Sequence, residues 1–451
     1  MFNDDDDDVL SFKKEPEKNN TKNTKHHTTS PCTTSSISRR LSNMNRVKII
    51  AAAATIATTT AAASIPADAS THIQVKRAVV IFRHGDRSPI VPPHGNVLPI
   101  TSLPEATAFW QSRLPTRETC GRWANLHPLS SPTQERIDAG SRPWGQLTEV
   151  GAYQARDLGR FLRTRLIEQH GLLPNMLNVH NVRAHSTSIY RAQQTLSNVM
   201  LGLYGRTDRQ DGSAGQVTVH VTERPEVEEY MYSPDRKKCS HLLSLHKILT
   251  HPSNMDSLFT INEQQVLQKL KVLFNYGDKK LATTQVRSTL VCLRSHNRTL
   301  PKGVLCSDVR TLESANSKME YHKYANRNYF KLALGRLVPK IMDGLSNNDS
   351  DLKLLLFSGH DSTIKPLVVL LGLDQINNWP KYCANILFEY GEDSSTREGY
   401  VRVLYNEKIS PVAGCIADER GWIPLATFRN YISPYGLEDR EHSALCNNFE
   451  F

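Results

Sequence analysis

The sequence predicts an α/β fold: a central, mostly parallel sheet flanked by helices, with a mainly helical cap inserted at about 223–325. Three observations carry that expectation. Residues 75–82 and 352–357 are strongly apolar runs that end on polar clusters, the pattern of strands buried on both faces. Between them, several segments repeat apolar residues at steps of three and four, the period of a helix packed on one side. Residues 223–325 lack strong strand signals and contain several helical ones. Strand alternating with helix implies helices layered on a sheet.

Taken in order, residues 1–43 hold an acidic run from Asp4 to Asp8 and then a Lys/Asn/Thr/Ser-rich stretch, and are expected to be a disordered extension. Residues 44–69 join a short basic stretch (Arg46, Lys48), a mild apolar run over 49–65 and an Ala67-Asp68-Ala69 cleavage pattern, which together read as a signal peptide. Read from Met1, the same stretch becomes a single type II membrane anchor with Arg39, Arg40, Arg46 and Lys48 on the cytoplasmic side. Ala and Thr make a poor span, which favours cleavage over anchoring. A mitochondrial presequence is the alternative, and the acidic run at 4–8 argues against it.

Residues 70–451 are read as one domain carrying the cap. Its first strand is 75–82. Thr148 is placed to cap a helix whose apolar positions are Ala155, Leu158, Phe161, Leu162 and Leu166, with Gly171 as its stop. Helices are also expected at 186–203 and 326–345. Residues 176–182 and 384–390 are weaker strand candidates. Residues 400–405 alternate like an edge strand.

Composition bounds the function. Of 451 residues, 39% are hydrophobic and 22% charged, enough apolar material for a sizeable core. No apolar run of about 18 residues appears, which argues against a polytopic membrane protein. The formal charge is +10, with nine Lys/Arg and eight Asp/Glu before residue 70, so the excess belongs to the globular part. A basic surface suits anionic partners. No zinc-finger or RNP-like motif points to nucleic acid. The eight cysteines are scattered without a C-x-x-C, which weakens a zinc or thioredoxin reading. Asn297-Arg298-Thr299 and Asn348-Asp349-Ser350 are glycosylation sequons, in keeping with the secretory pathway. Seven cysteines would remain after cleavage, giving up to three disulfides and one leftover thiol.

The chemistry concentrates at two strand ends. Arg83-His84-Gly85-Asp86-Arg87-Ser88-Pro89 follows the first strand directly. In an open α/β sheet, ligands sit beyond the carboxyl ends of the strands. Two guanidinium forks flanking one imidazole can bind phosphate oxygens and leave the ring to attack phosphorus. Gly85 permits close backbone approach and unusual dihedrals. Alone, such a segment is more often a basic turn. Gly359-His360-Asp361 changes the weighing, because it too directly follows an apolar strand.

Both motifs together resemble the histidine acid phosphatase family, marked by R-H-G-x-R-x-P early and H-D late. The likeness covers roughly residues 72–450. It extends through residues 145–151, Ser186-Thr187 with Arg191, and Trp379-Pro380. Among subfamilies the chain is most similar to the 2-phosphoxylose phosphatases, by residues 172–175, the Cys292/His296/Asn297/Cys306 neighbourhood, residues 401–406 and the end from Ala444. The lysophosphatidate-type acid phosphatases are next.

The resemblance implies that His84 is the nucleophile and forms a phosphohistidine. It implies that Arg83, Arg87 and His360 bind phosphate, and that Asp361 protonates the leaving alkoxide. It implies no metal and no cofactor. Where the family usually has a further clamp arginine, this chain has His185. His185 could donate when protonated, below about pH 6.5, or be a structural histidine. Arg183, two residues earlier and on the same side of an extended segment, is a second candidate.

The expected activity is a phosphomonoesterase of the secretory pathway, acting on phosphorylated xylose in the glycosaminoglycan–protein linkage region, in the Golgi or secreted. The basic surface would suit such a glycan. A lysophosphatidate or broad-specificity phosphatase is the alternative with the same chemistry. A catalytically inactive phosphate- or glycan-binding protein is the alternative of another class, motivated by His185 and opposed by the five intact motif residues.

Overall fold

The computed structural model describes residues 73–90, 103–115, 143–205, 219–221, 229–234, 236–346 and 351–447. The expected N-terminal extension, the segment 44–69 and the Asn348 sequon lie outside the described residues. So do Cys32 and Cys120.

The sheet has eight strands: β1 (Ile73–Arg83), β2 (Val182–Ser186), β3 (Val219–Val221), β4 (Leu354–Gly359), β5 (Asn385–Asp393), β6 (Gly399–Tyr405), β7 (Lys408–Ile409) and β8 (Trp422–Pro424). Their order is β3-β2-β4-β1-β5-β6-β7, with β8 also pairing to β6. β3, β2, β4 and β1 pair in parallel. β5 and β6 continue antiparallel beside β1. β1–β4 and β6 all run one way, so the expected α/β class with a mostly parallel sheet is what the chain forms.

β1 is central because its sequence allows no other place. Val79, Val80, Ile81 and Phe82 are all fully buried, so both of its faces need cover. Burying each such side chain contributes about 1.5–3 kcal/mol. On one face Ala78, Val80 and Phe82 meet Ala155, Leu158, Leu196 and Val199 of the helices Glu149–Leu162 and Tyr190–Tyr204. On the other, Val79 and Ile81 meet Val338, Ile364, Leu367 and Phe428 of the helices Leu337–Ser346, Asp361–Leu371 and Leu425–Ile432.

Three local expectations shift. The strand read at 176–182 is a loop with a single 3-10 turn, and the strand runs Val182–Ser186 instead. Consequently the helix read from 186 starts at Tyr190. β2 buries only Val182, Ala184 and Ser186, too few large apolar residues to signal a strand. The helix read at 326–345 is two, Arg327–Leu334 and Leu337–Ser346, broken where the carbonyl of Tyr435 presses on Gly335 and leaves no room for a Cβ. Thr148 caps its helix as expected, accepting from Gly151 N at 3.1 Å. That helix passes into a π-helical segment, Arg163–Gln169, before Gly171 turns the chain with a positive φ.

Between β3 and β4 the described chain is helical. Helices Ile261–Leu273, Thr283–Ser295 and Cys306–Ala325 pack a small core of their own around Leu270, Leu290 and Leu312. Cys239 is bonded to Cys446, which ties helix Ser240–Leu249 to the C-terminal helix Asp439–Asn447, and Cys306 is also disulfide-bonded. Cys292, Cys383 and Cys415 are free thiols, more than the one leftover thiol expected. Cys292 sits on a buried helix face, where its sulfur serves packing rather than pairing.

Candidate active site

The parallel pairing of β1 with β4 puts Arg83 in register with Gly359, so the two motifs emerge side by side at one sheet edge. His84 N donates to Gly359 O at 2.9 Å, which ties the two strand ends together. The His84 and His360 rings lie 5.5 Å apart, edge to face.

Neighbouring helices hold the loop after β1. Gly85 and Gly151 meet backbone to backbone, and a Cβ on either would overlap the other's chain. The glycine is therefore needed for close approach rather than for its dihedrals. Gly85 N donates to Thr195 Oγ1 at 3.1 Å and Asp86 N to Gln154 Oε1 at 2.9 Å. The Asp86 carboxylate is fully buried. It accepts from Thr148 Oγ1 at 2.6 Å and Ser295 Oγ at 2.9 Å, and lies 2.6 Å from His296 Nε2. The variable position of the motif thus pins the loop to the helix Thr283–Ser295.

That helix also reaches the arginines. Arg87 Nη2 donates to Ser288 Oγ at 3.0 Å, and Arg87 Nη1 to Ser88 O at 2.9 Å. Arg83 Nη1 donates to Pro380 O at 2.7 Å, its Nη2 lies 3.0 Å from Asp361 Oδ2, and its guanidinium sits over the Tyr382 ring. Arg287, which sequence reasoning missed, stacks 3.6 Å from the Trp379 ring centroid and points Nη2 at Asp361 Oδ2, 3.5 Å away. Trp379 Nε1 donates to the same oxygen at 3.2 Å. The Nε atoms of Arg83, Arg87 and Arg287 are buried without a hydrogen-bond acceptor. Buried donors of this kind are costly unless an acceptor arrives.

The imidazoles are kept neutral. Burial lowers the pKa of His84 well below the usual histidine value, and the charges of Arg191, Arg83, His360 and Arg87 lower it further. Burial, then Arg191, lowers that of His360 too, against the pull of Asp361. His84 Nδ1 lies 2.7 Å from Gly85 O, which can only accept. Nδ1 must therefore carry the proton, and Nε2 holds a lone pair even in acid. Thr187 Oγ1 lies 2.9 Å from His360 Nε2 and fixes that ring. For Asp361, burial pushes the pKa up, but Arg83, Arg287, His84 and Arg87 outweigh it and hold the carboxyl well below the usual range.

Arg83, His84, Arg87, His360 and Asp361 are thus gathered at one edge. His185 is placed differently. It stacks on Phe357 with ring centroids 5.1 Å apart, and its Nδ1 lies 2.8 Å from Tyr230 Oη. Arg183 is on the same side of β2 and is exposed.

Residues 74–406 match the family model described as histidine phosphatase superfamily (branch 2). The chain is 25% identical over 399 residues to lysophosphatidic acid phosphatase type 6 of Homo sapiens, covering 85% of this chain and 88% of that one. It is 25% identical over 392 residues to lysosomal acid phosphatase of Xenopus laevis, covering 83% and 80%. Among solved structures, the apo form of a Hafnia alvei phytase superposes with a TM-score of 0.57 at 16% identity, over 83% of this chain and 100% of that one. That last likeness bears on the fold alone.

Proposed function

Because the chain belongs to branch 2 of the histidine phosphatase superfamily and is a phosphomonoesterase of the acid phosphatase type, we propose that it works through a phosphohistidine on His84. Arg83, Arg87 and His360 bind the phosphoryl oxygens. His84 Nε2 attacks phosphorus, the bond to the leaving oxygen breaks, and Asp361 gives that oxygen its proton. Water then loses a proton to Asp361 and attacks phosphorus. The P–N bond breaks, phosphate leaves, and His84 returns with its lone pair. Spreading the developing charge over buried guanidiniums lowers the barrier to both steps.

The observation that carries this reading is the His84 Nδ1 bond to Gly85 O, which leaves Nε2 unprotonated between two arginines. Asp361 is ionised at rest, so its proton must come with the substrate. A phosphate monoanion in the Arg83 clamp brings one and offsets the guanidinium charge that kept the carboxylate ionised. The test is phosphoenzyme trapping. Acid-labile phosphate should appear on the wild type and vanish in His84→Ala, with turnover down at least ~10³. Near-normal turnover in that variant would sink the mechanism.

For substrate we infer a phosphorylated sugar, with the xylose of the proteoglycan linkage region as the specific candidate. Trp379, Tyr382 and Tyr232 border the cluster, and aromatic rings with polar handles suit a sugar face better than an acyl chain. A lysophosphatidate is the second reading, favoured by the relative of that name. Rates on a 2-phosphoxyloside, lysophosphatidate and phytate decide between them.

The working compartment under this reading is the secretory pathway, specifically the Golgi if the substrate is linkage-region xylose. The Cys239–Cys446 disulfide and the exposed Asn297 sequon support a lumenal location. Among the described residues no helix is long and apolar enough to cross a membrane.

A further inference from the structure

We propose that Arg287 is a catalytic residue, a third phosphate-binding guanidinium supplied by the helix Thr283–Ser295 rather than by β2. The inference rests on the phosphatase reading above and addresses the clamp position that His185 and Arg183 left open.

Three observations carry it. Arg287 Nη2 and Arg83 Nη2 converge on one oxygen, Asp361 Oδ2, at 3.5 and 3.0 Å. A phosphate that engages Arg83 therefore arrives within reach of both. Secondly, the Arg287 side chain is buried and flat on Trp379, while its Nε has no acceptor. A purely structural strut would be expected to use that donor, as Arg165 does at Glu389. Thirdly, Arg83 already pairs with Asp361, and Arg287 brings a second guanidinium to the same carboxylate, so this group of three carries one positive charge in excess toward an anionic phosphoryl group. Asp361 is the carboxylate nearest the leaving oxygen in this mechanism, so Arg287 closes the phosphate pocket on that side.

The next residue on the helix, Ser288, accepts from Arg87, and one turn on Cys292 Sγ lies 3.7 Å from Arg87 Nη1. A single helix turn therefore positions one clamp arginine and supplies another. Displacing this helix should disable both together.

The experiment compares Arg287→Met, which keeps volume against Trp379 without charge, with Arg287→Lys, which keeps charge without the planar fork. The readouts are inhibition by inorganic phosphate and kcat/KM on p-nitrophenyl phosphate, with thermal unfolding as the fold control. Met should raise the phosphate inhibition constant on the order of 10- to 100-fold, the range for a charge-assisted bond, and Lys should recover part of that loss. Phosphate affinity equal to wild type in Met, or as large a loss in Lys as in Met, overturns the proposal. If only Lys folds, an intermediate loss supports the proposal and a loss beyond 100-fold overturns it. Failure of the underlying reading looks different, because His84→Ala would then still turn over.

Discussion

Two buried arginine clusters gather around single carboxylates in this molecule. Under β5, Glu389 is fully enclosed by Arg165 at 2.6 and 3.0 Å and by Arg402 at 2.8 and 2.7 Å, with His170 at 3.3 Å. Both Nε donors there end on the carboxylate. At the edge of β1 and β4, Arg83 and Arg287 share one oxygen of Asp361, Arg87 turns to Ser288, and all three Nε donors lack an acceptor. In the first cluster both arginines end on the carboxylate, and His170 Nε2 at 3.3 Å is the one group left without a hydrogen bond. In the second the unused donors belong to the arginines themselves, and under the proposed reading an anion would satisfy them.

The sharpest way to break the comparison is to remove each carboxylate. Asp361→Asn should cost about 10²–10⁴ in kcat on an alkyl or sugar phosphate and much less on p-nitrophenyl phosphate, whose leaving group needs no proton. Equal losses on the two substrates would refute the donor role.

Glu389→Gln should act on stability instead. Stranding the buried Arg402 and the half-buried Arg165 costs about 3–5 kcal/mol, read from denaturant unfolding. Burial would raise the Glu389 pKa, but His170, Arg165 and Arg402 outweigh it and lower it from 4.5 to about 2. A depressed folded value stabilises above the unfolded one, so the native protein should lose about 3 kcal/mol as pH falls from 4.5 towards 2. The gap between variant and wild type should close over that window. A gap that persists unchanged at pH 2 would break the account.

Inorganic phosphate should sharpen the contrast. At about a hundred times its dissociation constant it should stabilise the wild type by about 2.7 kcal/mol. Glu389→Gln should gain the same increment, since its cluster has no place for the ion. A smaller increment in that variant would mean that the two clusters are coupled.

His185→Ala should have the smallest effect, under tenfold in kcat/KM. Its ring is engaged with Phe357 and Tyr230. The comparison is kcat/KM against pH, and a loss confined to acid pH would instead return His185 to the phosphate clamp.

Sequence reasoning reached the β1 and β4 ends because each pairs an unbroken apolar run with a polar cluster, a contrast visible in one dimension. It missed Arg287 because the helix around it buries Val286, Arg287, Ser288, Thr289 and Leu290 in succession, so no amphipathic stripe marks a face. It passed over Glu389 although the signal was present: a lone carboxylate after Ile386, Leu387 and Phe388 must find a cation once that strand is buried. Asp86 looked like a free position of the motif, and only the fold reveals that it fastens the loop to a helix more than 200 residues away. His185 stood out by position in the motif, whereas its stacking partner could be known only once β2 and β4 were paired.

The strand order has a consequence for synthesis. β1 is made early, yet both of its sheet partners, β4 and β5, come from beyond residue 353. At about 5–20 residues per second, the ribosome needs roughly 15–60 s to deliver them. Throughout that interval Val79, Val80, Ile81 and Phe82 form a nascent strand with neither edge covered, the kind of segment that pairs with other chains. The strand that leads into His84 is therefore a stretch in need of cover during translation. A polar replacement at Val80 should be felt first as lost yield of soluble protein.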